Sequence, residues 1–199
     1  MSRPIILGSG STIRQTMLRN AGVDFSVTVA RIDEESIKAS LLAEDASPRD
    51  IADTLAEYKA RRVAQSNPEA LVLGCDQVLE FDRQVLSKPT TPDDARAQLK
   101  AMSGKSHKLL SAAVIYEDAK PVWRSVGQVR LTMRSLSDGY IDAYVDRNWD
   151  EIQNCVGAYQ LEAEGARLFA RVDGDYFTVL GLPLLDVLGY LTLSGVLDG

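Results

Sequence analysis

The stretch Leu71-Val72-Leu73-Gly74-Cys75-Asp76-Gln77-Val78-Leu79 constrains the fold of this chain more than any other. Ala70 to Leu73 are apolar without alternation, and Val78 and Leu79 resume the pattern. A run that is apolar on both faces belongs to a strand covered on both sides, in the middle of a sheet. At its centre stand Gly74, Cys75, Asp76 and Gln77. An ionised aspartate there is costly unless it is paired, hydrogen-bonded or bound to a metal. Two readings follow. Either the strand is continuous and carries a functional carboxylate, or it ends at Leu73 and Asp76 lies in a solvated turn.

The segments around this strand read as alternating strands and helices. Pro4 to Leu7 is a short strand, followed by Gly8-Ser9-Gly10-Ser11-Thr12 and a helical pattern that stops at Gly22. A strand, a glycine- and serine-rich turn and a helix together point N–H groups and hydroxyls at an anion. Arg14 in the first turn opposes the helix dipole; a phosphate partner is one reason for it and plain solvation another. The P-loop and dinucleotide spacings are absent. Phe25 to Val29 alternates and reads as a strand with one face buried. Asp33-Glu34-Glu35 is a solvated turn, a helix first turn, or a source of a carboxylate for Mg²⁺.

Ser47-Pro48-Arg49-Asp50 starts a helix that runs to about Ser66, and Lys59 shares its Ala52, Leu55 and Ala56 face. Glu80 to Val85 reads as a hairpin around Asp82-Arg83. Lys88 precedes Pro89 and so sits on an extended segment. Thr91 caps the next helix, which Gly104 stops. Ser103 to His107 reads as a polar turn, and strands follow at Lys108 to Glu117 and Val122 to Met133. Ser137 caps a further helix; a strand at Ala166 to Val172 and a helix from Leu184 to Leu193 close the chain. This is an α/β domain with a mixed sheet, taken as a single domain over residues 1–199.

The totals exclude several classes. The formal net charge is −6, which argues against broad nucleic-acid binding. Cys75 and Cys155 fit neither a metal knuckle nor a disulfide framework. His107 is the one histidine, so neither a zinc site nor a Ser-His-Asp triad is readily assembled. No run is long and apolar enough to span a bilayer, and Met1-Ser2-Arg3-Pro4 does not read as a leader, so a cytoplasmic protein with free thiols is expected. Trp123 and Trp149 read as core or interface residues.

Several short motifs occur together in order: Gly-Ser-Gly-Ser-x-x-Arg at 8–14, Asp33-Glu34, Lys59-Ala60, Gly74-x-Asp76, Lys88-Pro89, Ser103-Gly104 with His107, Gly157-Ala158-Tyr159, and Val179-x-Gly181-Leu182-Pro183. In this register the chain resembles the Maf-like nucleotide pyrophosphatases over nearly its whole length. The resemblance implies a long mixed twisted sheet flanked by helices, in two lobes around a central nucleotide cleft. It implies hydrolysis of nucleoside triphosphates to monophosphate and pyrophosphate with a divalent cation, Mg²⁺ or Mn²⁺, and it allows a homodimer. A nucleoside triphosphate is the expected partner, with no nucleic acid and no membrane.

By the same resemblance, Asp76 is the general base or a metal-linked carboxylate, and Glu34 a second metal-side carboxylate. Lys59 and Lys88 hold phosphates, while Ser9, Ser11 and Arg14 cradle the triphosphate. The chain departs from the family's usual pattern at Ile13, where an arginine is common, at Gln77, where threonine is common, and at Glu162, where glutamine is common. These departures are similar to the branch that acts on 7-methyl-GTP rather than the dTTP/UTP branch. A carboxylate at Glu162 can accept from both the N1–H and N2–H₂ groups of guanine. Ile13 can pack on a base. A nucleotide-binding regulator of cell division with weak turnover is the alternative of another class.

Overall fold

The computed structural model describes residues 3–198. The Met1-Ser2 end of the leader expectation lies outside the described residues. Seven strands form one mixed sheet: β1 (Ile5–Leu7), β2 (Ser26–Val27), β3 (Leu71–Phe81), β4 (Gln84–Leu86), β5 (Ser106–Glu117), β6 (Lys120–Met133) and β7 (Phe169–Asp173). Their order is β2-β1-β3-β5-β6-β7, with β4 pairing on β3. β1 is parallel to both β2 and β3, with Ile5, Ile6 and Leu7 opposite Leu71, Val72 and Leu73. β3–β4 and β6–β7 are antiparallel. Helices flank the sheet: α1 (Thr12–Asn20), α2 (Glu34–Ala43), α3 (Pro48–Ala64), α4 (Pro92–Met102), α5 (Asp138–Ile152), α6 (Tyr176–Val179) and α7 (Leu184–Leu193). None of these helices is long and apolar enough to cross a membrane.

β3 is continuous through Asp76, and Leu71 to Asp76 are all buried. The reading that ends the strand at Leu73 is therefore set aside. The tight turn at Asp82-Arg83 has both residues at positive φ, 49° and 65°, as a two-residue hairpin requires. The helix starts follow the sequence signals. Ser47 and Thr91 accept from the N–H groups of Asp50 and Asp94, and Thr91 with Asp94 completes a capping box.

The chain divides into two compact units. The first comprises the chain up to Gln77, Leu110–Gly127, and the chain from Tyr176 onward; the second comprises Val78–Leu109 and Gln128–Asp175. In the first unit, strand alternation sorts β3 onto two faces. Leu71, Leu73 and Cys75 join Leu7, Met17, Leu18, Ile115, Val187 and Leu191 in one apolar cluster, which carries the inner faces of α1 and α7. The other face meets α3, whose Ile51, Ala52, Leu55, Ala56, Ala60 and Val63 are buried. Gly74 sits on that second face. A Cβ there would run into the Ala56 carbonyl and come within 2.5 Å of the Ala60 nitrogen and 2.8 Å of its Cβ. Only a hydrogen at this position lets helix and strand approach so closely. Trp123 stacks on Tyr190, with ring centroids 5.3 Å apart.

In the second unit α4 packs on α5. Leu79, Leu99, Met102, Leu131, Met133, Ile141 and Tyr144 form its buried apolar interior.

Three local expectations are corrected. The segment at Phe25 to Val29 pairs over Ser26–Val27 alone, both residues are exposed, and Val29 is 58% exposed, because it is the sheet's outer strand beyond β1. His107 is not in a turn: it lies on β5, 2% exposed, bonded through Nε2 to the Tyr159 hydroxyl at 2.7 Å. The strand expected from Ala166 begins only at Phe169, because Glu164–Leu168 forms a 3-10 turn. The acidic run at 33–35 resolves as a helix start, with Asp33 capping α2.

Candidate active site

The turn after β1 delivers Ser9, Ser11 and Arg14 to the start of α1. Ser9 is buried, and its Oγ accepts from the Ser11 N–H at 3.3 Å and from Arg14 Nη1 at 3.2 Å. The Arg14 guanidinium also donates through Nε to the Gly181 carbonyl at 2.7 Å and through Nη1 to the Cys75 carbonyl at 3.3 Å. These contacts fix the plane of the guanidinium beside β3. Ile13 is half-buried on the same helix turn.

Asp76 points to the α3 face of β3, the same face as Gly74 two residues earlier. There Lys59 Nζ lies 2.6 Å from Asp76 Oδ1 and 2.9 Å from Glu34 Oε2. Lys59 is 9% exposed and Asp76 7%. Burial pushes the Asp76 carboxyl above the usual aspartate range; the ammonium of Lys59 and the guanidinium of Arg14 pull the other way without overcoming it. Glu34 occupies the first turn of α2. Its neighbour Asp33 is engaged in the cap, accepting from the Ser36 N–H at 3.1 Å and the Ser36 hydroxyl at 2.7 Å, and these bonds hold its carboxyl below the usual range. Of the two, it is therefore Glu34 that reaches Lys59.

Gln77, the next residue on β3, turns to the opposite face. Its Nε2 approaches Ser111 Oγ at 2.9 Å and the carbonyls of Val179 at 2.9 Å and Thr178 at 3.2 Å. Both amide hydrogens are thus engaged within the first unit. Cys75 is fully buried in the apolar cluster, and burial raises its thiol to about 11, which makes it an inert core residue.

Lys88 and Glu162 belong to the second unit, and both are exposed. Both act electrostatically on Cys155, Lys88 lowering its pKa and Glu162 raising it, while burial moves the thiol upward overall. Glu164, two residues on from Glu162, is fully engaged. It accepts from Arg147 at 2.7 Å and Asn148 at 2.9 Å, and these bonds bring its carboxyl down to about 2. Glu162 has no comparable clamp among the described residues.

Ser111 and the Glu164 clamp are not among the residues the sequence singles out. Ser111 did leave a signal, as the one hydroxyl side chain inside the apolar run from Leu109 to Ile115. The Glu164 clamp draws its partners from α5, and no local pattern announces it.

A mixed α/β fold thus carries a serine–arginine cluster at the start of α1 and a lysine held between two carboxylates. The model of the family described as "Maf-like protein" matches residues 4–193, and the chain belongs to that family. It is 61% identical to a nucleoside triphosphate pyrophosphatase of Ruegeria pomeroyi over 198 residues, covering 100% of both chains. It is 46% identical to a nucleoside triphosphate pyrophosphatase of Caulobacter vibrioides, covering 98% of this chain and 97% of the other. It is 44% identical to a 7-methyl-GTP pyrophosphatase of Brucella abortus over 199 residues, covering 100% of both.

Proposed function

We propose that this protein hydrolyses nucleoside triphosphates to the monophosphate and pyrophosphate, and that it favours guanine nucleotides of the 7-methyl-GTP type. The observation that carries the reading is the buried Asp76–Lys59 pair, with Glu34 on the same ammonium. The names of the similar proteins from Ruegeria and Brucella support it.

Hydrolysis between the α- and β-phosphates requires a water to add to the α-phosphorus. The bridging oxygen then leaves with pyrophosphate, and a proton leaves the water. Asp76, with its pKa raised by burial, is suited to receive that proton or to hold the ion that acidifies the water. Lys59 and Arg14 place positive charge where the phosphate oxygens gain negative charge. Ser9 and Ser11 hold the triphosphate at the start of α1, where the helix dipole favours anions. Lys88 would hold phosphate as well, as the family resemblance implies.

Among the described residues no cluster of three or more acidic, histidine or cysteine side chains is placed to hold a metal ion, so a hard divalent cation would rest on Glu34 and Asp76, which Lys59 bridges. Glu34 and Asp76 offer oxygen only, and Mg²⁺ is commonly held by one or two carboxylates with substrate phosphates and water completing its shell. Glu34 and Asp76 would hold Mg²⁺ or Mn²⁺, which when bound neutralises phosphate charge.

Guanine preference rests on Glu162. Its carboxylate can accept two hydrogen bonds from the guanine N1–H and N2–H₂ edge, and 7-methylation gives the base a positive charge that a carboxylate favours. Uracil and thymine present one N–H between two carbonyls, which a carboxylate repels. Ile13 supplies an apolar contact for a base.

The test is pyrophosphate release from 7-methyl-GTP, GTP, UTP and dTTP with Mg²⁺ or Mn²⁺. Strongest release from 7-methyl-GTP is expected. Preference for UTP and dTTP would keep the reaction and overturn the guanine assignment. Tight nucleotide binding with no release from any of the four would overturn the reaction and favour a nucleotide-binding regulator.

A further inference from the structure

Ser111 is fully buried in the middle of β5, between Leu110 and Ala112. A hydroxyl in such a place needs partners, and it has two. Its Oγ donates to the Thr178 carbonyl at 2.7 Å and accepts from Gln77 Nε2 at 2.9 Å. Gln77 Nε2 also reaches the Val179 carbonyl at 2.9 Å. Thr178 and Val179 are the last residues of α6, where carbonyls run out of intrahelical donors; the Thr178 carbonyl also accepts from the Gly181 N–H at 3.1 Å. Two side chains from the sheet therefore fasten the end of a four-residue helix.

The chain then passes through Leu180 to Gly181. Gly181 has φ +100°, and its carbonyl accepts from Arg14 Nε at 2.7 Å. The guanidinium lies so close over Gly181 that an added Cβ would sit 3.1 Å from Nη2 and 3.2 Å from Nε. The path from Ser111 to Arg14 is thus continuous: Ser111 and Gln77 fix the end of α6, the end of α6 fixes the Gly181 carbonyl, and that carbonyl fixes Arg14. Every member of the path lies in the first unit.

We propose that Ser111 is a positioning residue for Arg14, acting through the Thr178–Gly181 turn, and that Gln77 works with it. This rests on the reading above in which Arg14 holds substrate phosphate. The consequence for Gln77 is specific. Its carboxamide orients the phosphate-binding arginine through the turn, with its amide hydrogens engaged by Ser111 and the end of α6.

The experiment is a double-mutant cycle between Ser111→Ala and Arg14→Ala, read as KM and kcat for pyrophosphate release from the best nucleotide of the panel. Ser111→Ala is expected to raise KM about tenfold, the loss of a bond to a charged group, with kcat within about twofold. Arg14→Ala is expected to raise KM by at least as much, and adding Ser111→Ala to it is expected to change KM little. Fully additive effects, or an unchanged KM in Ser111→Ala, would overturn the positioning role while leaving the hydrolysis reading in place. An unchanged KM in Arg14→Ala would remove Arg14 from phosphate binding and the proposal with it. A second readout separates positioning from stability: proton exchange of the Arg14 Nε–H by NMR, expected to accelerate at least tenfold in Ser111→Ala. Should the alanine variant not fold, Ser111→Cys retains a weak donor in similar volume; intermediate values of KM and exchange support the role, and wild-type values overturn it.

Discussion

Lys59 and Asp76 meet beside the close approach of α3 to β3 at Gly74, Nζ to Oδ1 at 2.6 Å, with both side chains buried. Three sequence choices produce this contact. Lys59 lies on the α3 face that also carries Ala52, Leu55, Ala56 and Ala60. Asp76 lies two residues beyond Gly74, hence on the same face of β3. Gly74 carries no Cβ, so the two backbones can approach. A buried ion pair does not favour folding strongly, because desolvation offsets the attraction. Its presence here is explained by chemistry better than by stability.

The first prediction concerns that pair. Asp76→Asn keeps an oxygen for Lys59 and nearly the same volume, and Glu34 still faces the ammonium, so the fold should be retained with a lowered melting temperature. Turnover should fall by a factor on the order of 10² or more, as for a lost base or metal-side carboxylate. Pyrophosphate release and thermal melting of the same preparation check both parts. Near-normal release would remove Asp76 from the mechanism.

Gly74 provides the second prediction, on stability. In Gly74→Ala the new methyl would overlap the Ala56 carbonyl and the Ala60 backbone, neither of which can rotate away. Overpacking of this kind costs roughly 1–3 kcal/mol and more when backbone must move. Since α3 would be pushed from β3, Lys59 would also be drawn off Asp76. Both the denaturant midpoint and kcat are expected to drop together. A variant with wild-type stability and activity would show that helix and strand tolerate separation at this point.

Much of this geometry is legible in the sequence because it is written locally. Ser47-Pro48 and Thr91-Pro92 place two helix starts, and the unbroken apolar run at 70–73 places β3 inside the sheet. The spacing of Lys59 from Leu55 and Ala56 already puts it at the buried face. Relations that depend on distant packing are not legible. Nothing near Phe25 announces that Ser26–Val27 alone pair, as the sheet's outer strand, and alternation by itself points to burial. His107 follows a glycine turn and reads as its continuation, yet β5 begins one residue earlier and carries it into an aromatic cluster with Tyr159 and Phe169. Gln77 reads as a substrate-binding residue by its likeness to the 7-methyl-GTP branch; alternation puts it on the face opposite Asp76, where Ser111 and the end of α6 engage it.

His107 carries a pH prediction. Burial lowers its pKa to about 4, and its Nδ1 is buried without a partner. The folded state therefore holds the neutral ring, whereas the unfolded chain binds a proton near pH 6.5. The stability contribution is fully present above about pH 6.5 and is lost as pH falls from there toward 4, since the unfolded state binds more protons in that interval. The loss amounts to a few kcal/mol at most, because a tenfold change in proton affinity is worth about 1.4 kcal/mol. His107→Gln should be less stable at neutral pH but flatter in its dependence between about pH 6.5 and 4. Melting both proteins across that range measures the difference, and parallel curves would assign the acid sensitivity to other groups.

Glu162 is the sharpest handle on base choice. Glu164 is held by Arg147 and Asn148 and is not free to read a base, which leaves Glu162 as the exposed carboxylate of the pair. Replacing it by Gln keeps length and shape, removes the charge, and provides both a donor and an acceptor. Such a side chain matches the alternating carbonyl and N–H edge of uracil better than the two donors of guanine. Glu162→Gln is therefore expected to lower kcat/KM for 7-methyl-GTP by about 10- to 100-fold, the effect of removing a charge-assisted contact of roughly 1.5–3 kcal/mol. For UTP or dTTP kcat/KM should be unchanged or increased. The corresponding change at Glu164 should act differently: Glu164→Gln should lower the melting temperature through loss of the Arg147 clamp and leave the ratio between nucleotides untouched. If instead Glu164→Gln alters the ratio and Glu162→Gln does not, the base-reading carboxylate has been assigned to the wrong residue.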